Sequence, residues 1–124
     1  MKLFIVEDSL PVRERLRGML GVISGVQIVG EAECVTEAVA GILETKPAVV
    51  VLDLQLGTGS GFNVLDTVHR REPGIDFYML SNFASEPYRR HAERLGARGF
   101  FDKSNEFERV RDAVAERAAI EQPH

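Results

Sequence analysis

Short apolar runs alternate along the chain with longer stretches in which apolar residues recur every three or four positions. The runs are Leu3-Phe4-Ile5-Val6, Val26 to Ala32, Ala48 to Leu52, Ile75 to Leu80 and Arg98 to Asp102. Runs of this length bounded by turn formers predict buried strands of a parallel sheet. Between them, Val12, Leu16, Met19 and Leu20 predict a first helix, with Arg13, Arg15 and Arg17 outside its apolar stripe. Ser9 or Asp8 would cap that helix, and Pro11 suits its first turn. Val35, Ala38, Val39, Ile42 and Leu43 mark a second helix, which Pro47 stops. Phe62, Val64, Leu65 and Val68 mark a third, broken by Pro73-Gly74. Ser85-Glu86-Pro87 opens a fourth helix that Gly96 closes. Ser104 is the expected cap of a fifth, with Glu106 and Glu108 near its positive end and Val110, Ala113, Val114 and Ala118 on its buried face.

Five strand–helix repeats predict an α/β fold, a doubly wound five-stranded parallel sheet. Right-handed crossovers favour the flavodoxin-like (βα)5 strand order 2-1-3-4-5, with the first and third strands flanking the topological switch point. Ligands of such sheets bind outside the carboxyl ends of the strands. Here those ends carry Glu7-Asp8, Asp53, Ser81 and Lys103. Three carboxylates, a hydroxyl and an ammonium are therefore expected on one edge.

Carboxylates about 4 Å apart repel by roughly 4 kcal/mol at an effective dielectric of 20, so such a trio calls for a cation or a proton. Oxygen-only ligands suit Mg²⁺, which keeps several waters and takes a few carboxylates plus a phosphate. A carboxylate can also act as a nucleophile and form an acyl phosphate, which is the role expected of Asp53. Lys103 would offer a point charge to a phosphoryl oxygen, and Ser81 a hydroxyl donor.

The chain of 124 residues, 44% hydrophobic and 27% charged, predicts one globular domain spanning 1–124. No apolar run approaches the roughly 18 residues of a membrane helix, and the N-terminus lacks the pattern of a signal peptide. A cytoplasmic protein without a membrane partner is expected. The net charge of -4 argues against direct nucleic-acid binding. Cys34, the lone cysteine, can form neither an internal disulfide nor a metal site and reads as a small, partly buried filler. His69 and His91 read as surface histidines, and Arg89, Arg90, Arg94 and Arg98 as a solvated face before a docking surface. Gly57 to Gly61 has the wrong glycine spacing for a dinucleotide loop and reads as a flexible turn.

Taken in order, these residues make the chain similar to a response-regulator receiver domain of two-component signalling, in a layout resembling the single-domain chemotaxis regulator. The resemblance runs from Lys2 to about Gln122. It implies that Glu7 and Asp8 are the acidic metal-binding pair, Asp53 the phosphoacceptor, and Gln55 the donor of a backbone carbonyl to Mg²⁺ or Mn²⁺. It places Ser81 at the hydroxyl position, Phe100 at the switch aromatic and Lys103 at the invariant lysine. Leu56 and Gly61 match the loop after the acceptor. Gly57 and Ser104 stand where the family often has proline, Phe100 where tyrosine is frequent, and Asn82 where a smaller residue is common. Gln55, Asn82 and Phe83 flank the site and are candidates for tuning the lifetime of a phosphoryl group.

The resemblance implies phosphoryl transfer from a sensor histidine kinase or a histidine phosphotransfer protein. The consequence would be a switch of the face made by the fourth helix, fifth strand and fifth helix toward an output protein or a phosphorylation-dependent homodimer. It implies self-catalysed phosphorylation and dephosphorylation rather than an enzyme acting on other substrates. Because only Gln122-Pro123-His124 follows the fifth helix, a stand-alone regulator is expected, with the receiver fragment of a DNA-binding transcriptional regulator as the alternative. A small phosphatase with an aspartyl nucleophile would want a second carboxylate shortly after Asp53, where Gln55 stands.

Overall fold

The computed structural model describes residues 1–121; the expected tail Gln122-Pro123-His124 lies outside the described residues. Strand β1 (Lys2–Val6) leads through α1 (Leu10–Gly21) to β2 (Gln27–Ala32), and α2 (Val35–Thr45) leads to β3 (Val49–Asp53). Two short strands, β4 (Gln55–Leu56) and β5 (Gly59–Ser60), precede α3 (Gly61–Arg71). The chain continues through β6 (Asp76–Ser81), α4 (Glu86–Arg94), β7 (Gly99–Asp102) and α5 (Phe107–Glu121). The main sheet is parallel throughout, in the order β2-β1-β3-β6-β7, which is the predicted 2-1-3-4-5 order once the small hairpin is set aside.

Strand side chains alternate between two cores, as a period of two requires. Phe4, Val6, Val50, Leu52, Phe77 and Met79 face a layer built from Ala38 and Ile42 of α2, Val64, Leu65 and Val68 of α3, and Ala92 of α4. Leu3, Ile5, Val49, Val51, Tyr78 and Leu80 face Leu16 and Leu20 of α1 and Val110 and Val114 of α5. Both faces of the sheet are therefore covered, and β3 is buried at every position. Among the described residues no helix is long and apolar enough to cross a membrane.

Four local expectations are corrected. Ser104 does not cap the fifth helix, which starts three residues later; its amide is instead taken by the Asp102 carboxylate at 2.8 Å. Gly57 to Gly61 is not a loose turn, because Gln55–Leu56 pairs antiparallel with Gly59–Ser60 and Ser60 caps α3 by accepting from the Phe62 amide. His69 is not a surface histidine. It is half-buried, its buried Nδ1 has no hydrogen-bond partner among the described residues, and a side chain at Gly96 (φ +104°) would strike its ring. Arg13 is not outside the buried stripe of α1: it is 9% exposed, three and seven residues before the fully buried Leu16 and Leu20.

Candidate phosphoryl site at the carboxyl edge of the sheet

Parallel pairing of β1 with β3 and of β3 with β6 brings the ends of three strands side by side. Glu7 and Asp8 follow β1, Asp53 ends β3, Ser81 ends β6, and Lys103 follows β7. The Lys103 ammonium lies 2.7 Å from Glu7 Oε1 and 3.1 Å from Asp53 Oδ2, so it bridges two carboxylates. Carboxylate oxygens of Glu7, Asp8 and Asp53 all lie within 4.8 Å of one another. They line a cleft of about 320 Å³ together with Gln55, Phe83 and Lys103.

Each carboxylate is aimed by a specific contact. Glu7 Oε2 accepts the Ser9 amide at 3.0 Å, which folds the acid back over the start of α1. The Glu7 main chain is clamped as well: its amide donates to Ala32 at 3.0 Å, and its carbonyl accepts from Arg13 Nη1 at 2.9 Å. Arg13 is itself held by Glu31 and Glu33, each at 3.1 Å. Asp53 Oδ1 accepts the Gln55 amide at 3.4 Å. Asp8, exposed at the rim, accepts the Gly57 amide at 3.0 Å. Gly57 has φ +60° and uses its N–H for this bond, which a proline at that position could not do.

Ser81 is 1% exposed, and its hydroxyl accepts the Phe83 amide at 2.8 Å. Asn82 and Phe83 stand exposed beyond it, with the Phe83 ring 6.1 Å from Tyr88. Phe100 is half-buried on β7 and packs against the Phe4 side of the core. The predicted residues Glu7, Asp8, Asp53, Gln55, Asn82, Phe83 and Lys103 thus line one cleft, whereas Ser81, buried at the end of β6, and Phe100 are not among its lining residues.

The electrostatics are those of a site short of positive charge. Glu7 is pushed up to about 7, mainly by burial and further by Asp53, against the pull of Lys103. Burial likewise raises Asp53, opposed by Lys103. Burial works against the Lys103 ammonium, but the two carboxylates outweigh it and hold its pKa above the ordinary lysine value. Glu7 Oε1 is buried with that ammonium at ion-pair distance, yet it has no well-directed hydrogen bond among the described residues. Three carboxylates facing one ammonium, all hard oxygen donors, fit a divalent cation of the Mg²⁺ type.

Sequence reasoning missed Arg13 and the Gly57 amide. The first was detectable, since Arg13, Leu16 and Leu20 share one helical face at spacings of three and seven. The second is a backbone donor, and side-chain pattern carries no trace of it.

Comparison with known proteins identifies the family and the fold. The model of the response regulator receiver domain matches residues 3–115. The chain is 36% identical over 121 residues to a protein-glutamate methylesterase/protein-glutamine glutaminase from Carboxydothermus hydrogenoformans, covering 96% of this chain and 35% of that protein. It is 33% identical over 103 residues to the DNA-binding transcriptional activator DevR/DosR of Mycobacterium tuberculosis, covering 83% of this chain and 48% of the relative. The chain thus spans about a third to a half of the length of these curated relatives. Its fold matches the response regulator domain of Thermotoga maritima CheB with a TM-score of 0.85 at 24% identity, covering 97% of this chain and 94% of that one. With the matched residues reaching from β1 into α5, the chain belongs to the response regulator receiver domain family.

Proposed function

We propose that this receiver is a phosphorylation switch in which Asp53 accepts a phosphoryl group from a phosphohistidine on a sensor histidine kinase or histidine phosphotransfer protein. An Asp53 carboxylate oxygen bonds to phosphorus as the phosphorus–nitrogen bond breaks, and the electron pair leaves with the imidazole, which takes up a proton. The product is an acyl phosphate. The observation that carries this reading is the Lys103 ammonium, 3.1 Å from Asp53 in a cleft lined by three carboxylates. An ammonium so placed can bind a phosphoryl oxygen once Asp53 is modified.

Glu7, Asp8, Asp53 and the Gln55 backbone carbonyl would hold Mg²⁺ or Mn²⁺, which when bound offsets the charge of the phosphoryl group and aligns it. Arg13 and the Ser9 amide keep Glu7 turned inward, and the Gly57 amide keeps Asp8 at the mouth. Ser81 supplies a hydroxyl to a phosphoryl oxygen. Its inward shift and that of Phe100 then bias two packings of the α4–β7–α5 face. Gln55, Asn82 and Phe83 stand at the rim, where they govern the approach of water. The domain thereby signals to an output protein or a second copy from the cytoplasm and turns over no separate substrate. Because the curated relatives are longer proteins, a receiver joined to an output domain is the second reading, which the parent open reading frame distinguishes.

Intact-mass measurement after incubation with acetyl phosphate and Mg²⁺ tests the assignment. The wild-type chain is expected to gain one phosphoryl group, and Asp53→Asn none. Equal labelling of the variant would overturn it.

A further inference from the structure

Arg89 of α4 is no part of a solvated face. Its side chain is 33% exposed, and its three nitrogens reach three separate stretches of chain. Nε donates to the Ala84 carbonyl at 2.9 Å, Nη1 to the Phe100 carbonyl at 2.9 Å, and Nη2 to Glu106 Oε1 at 2.7 Å. The guanidinium also lies 5.2 Å from the centroid of the Phe100 ring. Glu106 Oε1 accepts the Asp102 amide at 3.1 Å as well, and Glu106 Oε2 pairs with Arg109 at 3.2 Å. Arg89 beside Glu106 holds that carboxyl below the usual range. The neighbouring Arg90 pairs with Glu86 of its own helix, an exposed contact of the ordinary surface kind.

The anchors of Arg89 sit beside the groups assigned to phosphoryl binding. Ala84 lies in the loop after Ser81, and the Phe83 amide of that loop is bonded to the Ser81 hydroxyl. Phe100 and Asp102 belong to β7, the strand that Lys103 follows. A hydroxyl drawn toward Asp53 pulls on the 82–85 loop, whereas the Phe100 main-chain carbonyl and Glu106 stay with β7 and the start of α5 whichever way the Phe100 ring turns. A planar guanidinium fork spans three acceptors in one arrangement only and cannot follow anchors that move apart.

We propose that the Arg89–Glu106 pair, with its bonds to Ala84 and Phe100, is a latch that favours the unphosphorylated packing of the Ser81 loop against the α4–β7–α5 face. The proposal rests on the phosphorylation-switch reading and assigns it a built-in restraint. Removing the latch stabilises the switched state relative to the resting one, so ligands that select the switched state bind more tightly.

The test uses beryllofluoride with Mg²⁺ as a stable phosphoryl mimic, with affinity read by calorimetry and opening of the loop by amide hydrogen exchange. Arg89→Met and Glu106→Gln should each tighten binding by about five- to tenfold. The double variant should gain little beyond either single change, because both break one device. Arg89→Lys should behave like Arg89→Met if the fork matters, and Arg90→Met should match the wild type. Exchange in residues 82–88 should rise in both latch variants before any ligand is added. Unchanged or weaker binding in folded Arg89→Met, or strictly additive gains in the double variant, overturns the latch and leaves the Asp53 assignment standing. If Arg89→Met does not fold, Glu106→Gln alone decides the matter by the same criterion. A wild-type chain that fails to bind the mimic overturns both.

Discussion

Arg13 couples helix α1, strand β2 and the main chain of the buried Glu7 through one side chain. A guanidinium this buried is retained because its donors are matched: one goes to the Glu7 carbonyl and the others to Glu31 and Glu33. Arg17 also bonds Glu31, so that carboxylate keeps a partner when Arg13 is removed, but the Glu7 carbonyl loses this donor. Arg13→Met should therefore cost about 1–3 kcal/mol, the penalty of a buried acceptor left unmet. Urea unfolding reads this as a lower midpoint at an unchanged slope. Arg13→Lys should recover part of it, since an ammonium can donate to the carbonyl but cannot span both carboxylates. A midpoint unmoved by Arg13→Met would rule out the strut.

At the scale of elements, the approach of α3 to the end of β3 depends on one missing side chain. A Cβ at Gly61 would stand 2.1 Å from the Asp53 carbonyl oxygen and 3.1 Å from Leu54 Cα, both backbone atoms with no freedom to swing aside. The Gly61 amide meanwhile bonds the Leu54 carbonyl at 2.6 Å, closing the turn that carries Gln55 and Leu56. Gly61→Ala should thus push the loop after Asp53 away from α3. The expected cost is about 1–3 kcal/mol in stability, as for overpacking, with slower labelling of Asp53. Gly18→Ala, where a Cβ meets nothing within 4 Å among the described residues, is the matched control for glycine replacement in a helix. Full stability and full labelling in Gly61→Ala would remove the close-approach argument. The hairpin of β4 and β5 rests on the same turn, which is why a glycine-rich stretch that reads locally as loose is ordered in the fold.

For the whole molecule, the crowded carboxylates make stability depend on pH. Glu7 titrates near 7 in the fold against 4.5 as its ordinary value, so between those pH values the folded state holds more protons than the unfolded one. Stability without metal should therefore fall as pH rises through that window, by at most on the order of 3 kcal/mol, with Asp53 contributing in the same direction. Urea midpoints in EDTA at pH 5 and pH 7.5 measure the slope, which Glu7→Gln should flatten. Added Mg²⁺, which requires the deprotonated acids, should reverse it, and a flat profile in the wild type would contradict the burial account. Strand and helix identity, sheet order and the residues at the strand ends were legible without coordinates. They follow from periods of two and 3.6 and from crossover handedness, which act locally or on every such chain. The misplaced start of α5, the ordered hairpin and the buried Arg13 were not read correctly, because short-range propensity is overridden wherever a neighbouring element supplies the partner. Packing alone set Lys103 at 3.1 Å from Asp53, fifty residues earlier, and gave Arg89 its three anchors. Those distances depend on how two helical layers close over one sheet, a three-dimensional sum of contacts to which no single stretch of chain holds the key.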